Sequence, residues 1–265
     1  MSGLAGSGVD LTGRVALVTG AANGIGRATA EVLAQRGATV LLSDLSGAGQ
    51  EVAEEINAAG GTAHFLAGDV TDRAYLGQLV EYLTTEHGHL HALVNNAGIL
   101  RLADSFELTT DAQFDQMIAV NLRAVFDLSR LCLPLLKAAQ GAAIVNTASM
   151  VGHQLGMPSH AVYGASKAAV VGLSRTMALE LAPFKITVNC VAPGVVATNL
   201  FVDQFLQSHT REELNAGSSA VVAAIPNGAY AVPAQIAEVI TFLASPAADY
   251  VTGQTILIDG GYASQ

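Results

Sequence analysis

The sequence predicts an α/β protein, a single domain built on a doubly wound parallel sheet of about seven strands with helices on both faces. Two observations carry this prediction. Short continuous apolar runs, typical of strands buried on both faces, alternate along the chain with segments of helical spacing. The length of 265 residues suits one large domain of this class, and no internal repeat or linker divides it.

Seven apolar runs have the length and composition of buried strands. They are Arg14–Thr19, Ala38–Ser43, Ala63–Gly68, Leu90–Asn95, Ala142–Ser149, Ile186–Ala192 and Thr255–Asp259. Helical spacing occupies six segments, Arg27–Arg36, Gly49–Ala59, Ala74–His87, Asp111–Ala138, Val162–Ala182 and Pro233–Ala244. Such alternation implies right-handed βαβ units and therefore a parallel sheet. The Gly/Ser-rich residues 1–10 are predicted to be a flexible tail, and residues 11–265 the single domain.

Composition argues against several classes of function. A net charge of −10 and a pI near 5.0 disfavour nucleic acid or an anionic membrane as a partner. No apolar run approaches the roughly 20 residues of a membrane span, and the tail lacks the features of a signal peptide, so a cytoplasmic protein is expected. Cys132 and Cys190 lie in apolar runs and are predicted to be buried free thiols.

A glycine-rich turn follows the first predicted strand and opens the first helix. Its glycines are Gly20, Gly24 and Gly26, in the spacing Gly-x-x-x-Gly-x-Gly. Glycines at this place let the backbone approach a pyrophosphate, and the helix N-terminus supplies N–H groups and a favourable dipole. The turn therefore predicts a dinucleotide site, although glycines also serve ordinary strand-to-helix turns.

Asp44 ends the second predicted strand, 18 residues after Gly26. A carboxylate at this place can accept hydrogen bonds from the hydroxyls of an adenosine ribose. It would also repel the extra phosphate of NADP, and no Lys or Arg stands at residues 22, 23, 45 or 46 to offset that repulsion. We therefore expect NAD as the cofactor; the other interpretation is that Asp44 is a turn residue.

Tyr163 and Lys167 lie four residues apart, which places them one turn apart on the same face of a helix. Small and apolar residues surround them, and a Lys in such a helix is costly unless its charge is used. A neighbouring ammonium favours the phenolate of Tyr. The pair thus predicts acid–base chemistry, with a packed Tyr and a Lys reaching to water as the alternative.

Six motifs in order resemble those of the short-chain dehydrogenase/reductase family, over about residues 11–263. They are Thr19–Gly26, Asp69-Val70, Asn95–Gly98, the set Asn121, Ser149, Tyr163 and Lys167, the segment Pro193–Thr198, and Asp259–Gly261. The resemblance implies a Rossmann-type fold, NAD(H)-dependent interconversion of a secondary alcohol and a ketone, and no metal. It also implies a homotetramer, which agrees with a Tyr163 helix that is apolar nearly all round and needs a cover on its outer face.

The resemblance implies the following site residues. The catalytic set is Asn121, Ser149, Tyr163 and Lys167, with Ser149 binding the substrate oxygen, Tyr163 exchanging the proton, Lys167 supporting Tyr163 and holding the nicotinamide ribose, and Asn121 steadying a water. The cofactor contacts are Gly20, Asn23, Gly24, Ile25, Gly26, Asp44, Leu45, Asp69, Val70, Asn96, Ala97, Gly98, Tyr163, Lys167, Pro193, Gly194, Val196 and Thr198. The substrate-lining residues are Met150, His153, Gln154, Leu200, Phe201 and Phe205.

Residues 199–227 lack a strand pattern and are predicted to form a lid over the substrate. The following Pro226–Tyr230 departs from the Pro-Leu-Gly-Arg segment common in the family, so the identity of the substrate stays open. His87, His89 and His91 alternate in a helix-to-strand connection and are interpreted as a polar loop away from the site. Two other functions remain open, an NADP-dependent carbonyl or 3-oxoacyl reductase and a non-catalytic dinucleotide-binding protein.

Overall fold

The structure, a computed structural model, describes residues 9–103, 105–198 and 219–264. One sheet of seven parallel strands, in the order β3-β2-β1-β4-β5-β6-β7, forms the centre and confirms the predicted fold class. The strands are β1 Val15–Thr19, β2 Thr39–Asp44, β3 Thr62–Ala67, β4 Ala92–Asn95, β5 Ala142–Thr147, β6 Ile186–Pro193 and β7 Thr255–Ile258. Most of the predicted tail lies outside the described residues.

Helices cover both faces of the sheet. They are α1 Gly24–Gln35, α2 Gly49–Ala58, α3 Arg73–Glu86, α4 Asp111–Ile118, α5 Ala124–Ala138, the short α6 Met150–His153, α7 Ala161–Leu181 and α8 Pro233–Leu243. Successive strand residues point to opposite faces, so Val18 packs under α1, α2 and α8 while Leu17 packs under α3, α5 and α7. Within the part of the chain that the structure describes, no helix is long and apolar enough to cross a bilayer.

The predicted helix over Asp111–Ala138 was wrong in one respect. A π-helical turn, Ala119–Arg123, interrupts it between α4 and α5. Asn121 lies at the centre of this turn and bonds the Ile99 backbone in both directions, so its amide competes with regular helical geometry. The other element ends agree with prediction to within three residues, the largest difference being α1, which begins at Gly24 rather than Arg27.

A buried polar layer connects β4, β5 and β6 with the helices above them. Asn95 donates to Ser129 (3.0 Å) and Asn146 (2.8 Å), Asn146 donates to Ser174 (2.8 Å), and Cys190 contacts Ser174 (3.1 Å). All five side chains are at least 96% buried. Cys190 and Cys132 are both free and buried, as predicted. The layer lies directly beneath the strand ends that carry the candidate site.

The three histidines lie at the opposite edge of the sheet from those strand ends. His87 follows α3, and the rings of His89 and His91 stack edge to face 4.7 Å apart just before β4. His91 Nδ1 accepts a hydrogen bond from the Val15 amide (3.0 Å), which ties the start of β4 to the start of β1. In the described segments, no cluster of three His, Cys, Asp or Glu side chains can hold a metal.

Acid is expected to destabilise the protein through His91. Burial, and secondarily the Arg14 charge, lowers the pKa of His91 to about 4. An unfolded His titrates near 6.5, so the unfolded chain binds the proton first and stability falls as the pH drops from about 6.5 to about 4. The loss is about 1–2 kcal/mol once screening by water is allowed for. Urea unfolding across this pH range measures it, and H91N, which keeps an acceptor for the Val15 amide without titrating, should flatten the curve.

Candidate active site

The candidate site lies at the carboxyl ends of β1, β4, β5 and β6. The strand order reverses between β1 and β4, since β2 and β3 extend to one side of β1 and β4 to β7 extend to the other. Ligands of open parallel sheets bind in the crevice that this reversal creates. Every described residue of the predicted site lies on this edge of the sheet or on the helices beside it.

The glycine loop packs tightly against the end of β4. A Cβ placed on Gly26 would overlap the Gly20 carbonyl oxygen and lie 2.6 Å from Asn96 Nδ2. A Cβ on Gly20, which has a φ of +64°, would lie 2.9 Å from Ala97 Cα. Gly24 opens α1, and Asn23 at its N-cap makes no side-chain capping hydrogen bond. The loop backbone and an uncapped helix N-terminus therefore face the crevice, which fits a pyrophosphate.

Thr19 is a residue of this loop that the predicted site set did not include. Its hydroxyl accepts hydrogen bonds from the backbone amides of Asn96 and Ala97, both at 3.0 Å. The Asn96 side chain donates to the carbonyls of Thr19 (3.0 Å) and Gly20 (3.2 Å). Asn96 is thus a brace between β1 and β4. In the sequence, Asn96 was indicated only by the Asn95–Gly98 motif, because its partners are backbone atoms.

Asp44 is held in place at the end of β2 by two backbone amides. Its carboxylate accepts from Ala22 (2.9 Å) and Ser46 (2.8 Å), and the next side chain, Leu45, is 74% exposed. Asp69 behaves differently, since one of its oxygens accepts both the backbone and the hydroxyl of Thr71 at 2.8 Å. Val70 is buried beside it. A fixed carboxylate next to the glycine loop suits a ribose hydroxyl pair.

Ser149 and Tyr163 lie near each other at the end of β5. Ser149 caps α6 by accepting from the Val151 amide (3.2 Å), and Tyr163 lies in the first turn of α7. Burial raises the pKa of Tyr163, while the nearby Ser149 hydroxyl lowers it. The His160 ring lies edge-on to the Tyr163 ring at 6.1 Å. The hydroxyls of Ser149 and Tyr163 are therefore close together at the end of β5.

Lys167 lies one turn beyond Tyr163 and is 4% exposed. Its Nζ donates to the Thr147 carbonyl (2.8 Å) and lies 5.8 Å from the Tyr163 ring centroid. Burial lowers the pKa of Lys167 to about 8. A Cβ on Gly98 would lie 3.2 Å from Nζ, so the glycine leaves room for the ammonium. The sequence did not indicate Thr147, because a backbone carbonyl has no residue signature.

Asn121 is fully buried and is joined to Tyr163 through Ser166. Its amide donates to Ser166 Oγ (3.1 Å), and Ser166 donates to the Tyr163 carbonyl (2.7 Å). Asn121 also binds the Ile99 backbone, which follows Gly98. The residue is therefore a satisfied amide that connects the π-helical turn, α7 and the segment after β4. Ser166 was not in the predicted set.

The remaining predicted residues take different positions. Pro193 ends β6, a Cβ on Gly194 would lie 2.7 Å from Asp259 Cα, Val196 pairs with Ala231, and Thr198 lies beside Gly24. Of the substrate-lining set, Met150 is buried, His153 is partly buried, and Gln154 is exposed. Leu200, Phe201, Phe205 and most of the predicted lid lie outside the described residues.

Comparisons with known proteins agree over nearly the whole chain. The family model described as Enoyl-(Acyl carrier protein) reductase matches residues 20–263. The chain is 39% identical to a 3-oxoacyl-[acyl-carrier-protein] reductase of Thermotoga maritima, over 95% of this chain and 98% of the relative. It is 38% identical to a cyclopentanol dehydrogenase of a Comamonas species, over 95% and 97%. One similar structure is described as a putative NAD(P) dependent gluconate 5-dehydrogenase from Beutenbergia cavernae, with NADP bound at low occupancy. It superposes with a TM-score of 0.88 and is 37% identical, and the match covers 97% of this chain and 99% of that one.

Proposed function

Because the chain belongs to the short-chain dehydrogenase/reductase family, we propose that this oxidoreductase interconverts a secondary alcohol and a ketone with NAD(H), with Tyr163 as the general acid and base. The observation that carries the proposal is the buried Lys167, whose Nζ lies 5.8 Å from the Tyr163 ring centroid, with Ser149 nearby at the end of β5. Family membership alone covers many substrates, so the reaction is argued from these side chains.

Each side chain has a role that its contacts support. Ser149 hydrogen-bonds the substrate oxygen, and Tyr163 takes the proton from that oxygen in oxidation and returns it in reduction. Lys167 provides a fixed positive charge near the phenol, because the Thr147 carbonyl holds its Nζ. Asn121 holds the Ile99 backbone and the start of α7 in place. When bound, the nicotinamide cofactor supplies or accepts the hydride.

The cofactor site fits a dinucleotide from the glycine loop to Lys167. Gly20, Gly24 and Gly26 keep side chains out of the pyrophosphate position, and the α1 N-terminus is free of a side-chain cap. The Asp44 carboxylate lies at the ribose end, and the Lys167 ammonium at the nicotinamide end. We assign no metal to this reaction, because two hydroxyls and an ammonium supply the acid–base chemistry.

A substrate screen tests the proposed function. NADH formation or consumption is followed with cyclic and acyclic secondary alcohols, hydroxy acids and 3-hydroxyacyl thioesters, together with their ketones. Turnover of an alcohol and ketone pair with NAD(H) is the expected result. Binding of NADH with no turnover of any pair would contradict it and favour a dinucleotide-binding protein without activity.

The second candidate is an NADP-dependent reductase of 3-oxoacyl thioesters. The identity of 39% to a 3-oxoacyl-[acyl-carrier-protein] reductase supports it. Asp44 argues against it, because this fixed carboxylate would repel the extra phosphate of NADP. The thioester arm of the screen, run with both cofactors, separates the two candidates.

NAD is expected to bind at least roughly 10-fold more tightly than NADP, a difference of about 1.4 kcal/mol. The D44N variant removes the negative charge while keeping one acceptor oxygen, so the preference should shrink or reverse. Titration of NADH and NADPH fluorescence measures both affinities. The D249N variant, at an exposed carboxylate in the loop after α8, is the matched control and should keep the wild-type preference. Tighter binding of NADPH by the wild type would contradict the assignment of Asp44.

The outer face of α7 supports assembly into a homotetramer. Its exposed residues include the small or apolar Ala161, Ala165, Ala168, Gly172 and Leu179, the last 79% exposed, together with Arg175, Thr176 and Glu180 in its second half. Such a stripe is typical of a helix that packs on another copy. Light scattering is expected to give a tetramer for the wild type and a smaller species for L179E. The control variant A58E, at an exposed residue of α2, should remain tetrameric. A monomeric wild type would contradict this.

A further inference from the structure

The segment that carries Ser149 lies directly on the backbone of α7 at Gly152. A Cβ placed on Gly152 would overlap the Gly164 carbonyl oxygen and lie 2.9 Å from Gly164 C and 3.1 Å from Ala168 N. A Cβ on Gly164 would meet Val151 Cγ1 at 3.4 Å, which is an ordinary contact. The two chain segments therefore touch through backbone atoms, and the lack of a side chain on Gly152 permits the approach.

This backbone contact joins the two chain segments that carry the hydroxyls of the site. Ser149 is three residues before Gly152, and the Ser149 side chain accepts the Val151 amide (3.2 Å). Gly152 in turn donates its amide to the Leu155 carbonyl (2.9 Å), which closes the turn. Tyr163 precedes Gly164 directly in α7. The distance between Ser149 and Tyr163 therefore depends on how closely this turn approaches the helix.

We propose that Gly152 is a positioning residue that sets the Ser149 hydroxyl against the Tyr163 phenol. The inference rests on the proposed function, since it concerns the pair that would move the proton. Reacting groups lose rate steeply when they are displaced, and a misplacement of about 1 Å can cost roughly 100-fold. A side chain at position 152 would lift the turn from α7, because its clash is with backbone atoms that cannot rotate away.

A plain requirement for a turn glycine is the competing explanation. Gly152 has a φ of +88°, a conformation that favours glycine in any loop. Gly60, between α2 and β3, has nearly the same φ of +89°, but a Cβ there would meet nothing within 4 Å. G152A and G60A therefore introduce similar strain in φ, but only G152A places a Cβ against α7.

The test compares G152A, G60A and G164V, the last of which adds bulk to the same contact from the helical side without a positive φ. We expect G152A to lower kcat on the order of 10–100-fold, to move the pH profile of alcohol oxidation toward higher pH, and to leave NADH affinity within about twofold. The pH shift is expected because Ser149, which lowers the pKa of Tyr163, would move away from the phenol. G60A should lower thermal stability without these kinetic effects.

A spectroscopic arm keeps this inference separate from the proposed function. The tyrosinate absorbance of each protein is titrated against the same protein carrying Y163F, so that the difference reports Tyr163 alone and needs no substrate. A higher Tyr163 pKa in G152A, with no change in G60A, supports the inference even if the screen finds no turnover and the proposed function fails. An unchanged pKa and an unchanged pH profile in folded G152A, or equal changes in G60A, overturn it. If G152A does not fold, G164V decides by the same criteria.

Discussion

Replacing Tyr163 with Phe is expected to lower kcat by roughly 10²–10⁴-fold, the range that one general acid or base contributes. The change removes a single oxygen, so the ring still packs at the start of α7. Ser149 would remain to bind the substrate oxygen, but the hydroxyl of Tyr163 that takes the proton from that oxygen would be gone. The affinity for NADH should change little, because Lys167 is held by the Thr147 carbonyl rather than by the phenol.

Steady-state rates and NADH fluorescence titration measure the two effects separately. Y250F is the matched control, since Tyr250 is 99% exposed in the loop after α8 and contributes nothing to the site. The residual rate of Y163F should also lose the pH dependence that the phenol imposes on alcohol oxidation. If Y163F retained the wild-type kcat, the proposed role of Tyr163 would be wrong.

Replacing Gly26 with Ala is expected to remove most of the dinucleotide affinity. The added Cβ would overlap the Gly20 carbonyl oxygen and lie 2.7 Å from Gly20 C, so the loop must shift away from α1. Overpacking of this kind costs about 1–3 kcal/mol. If most of that cost falls on the bound conformation of the loop, NADH affinity should fall on the order of 10–100-fold.

Calorimetric titration with NADH measures the loss of affinity. Thermal unfolding without cofactor shows how much of the overpacking cost instead destabilises the whole fold. G77A is the matched control, because Gly77 lies exposed in α3 and a Cβ there would meet nothing within 4 Å. That variant should bind NADH as the wild type does and be slightly more stable, since Ala favours a helix. Wild-type affinity in G26A would mean that the dinucleotide does not bind against this loop.

The sequence predicted those features that repeat along the chain or depend on residue type. The apolar runs, alternating with segments of helical spacing, located all seven strands. The polar residues at the strand ends placed the candidate site on one edge of the sheet. The tight loop at Gly26 followed from the identity of the residue. Such features are encoded within a few neighbouring positions, so they can be inferred without knowing how distant segments meet.

Contacts between distant backbone atoms could not be predicted in this way. Asn121 bonds the Ile99 backbone from within the π-helical turn, and no side-chain pattern marks a backbone partner 22 residues away. Lys167 was expected to hold Tyr163 and a ribose, but its Nζ first donates to the Thr147 carbonyl, since a buried ammonium needs a partner in the protein itself. The approach of Gly152 to Gly164 likewise depends on the folded path of the chain.

The buried polar layer beneath the site has a consequence for how the strands align during folding. If β5 slipped by one residue, Asn146 would turn toward the opposite face, where Val94, Val145 and Val191 pack. Its amide would then lie unpartnered among methyl groups, at about 1–3 kcal/mol for an unpartnered group, and Asn95 would keep Ser129 but lose Asn146 as a partner. Apolar strands alone discriminate poorly between such competitors. The amides thus favour the correct register of the strands against whose ends Ser149, Tyr163 and Lys167 are assembled.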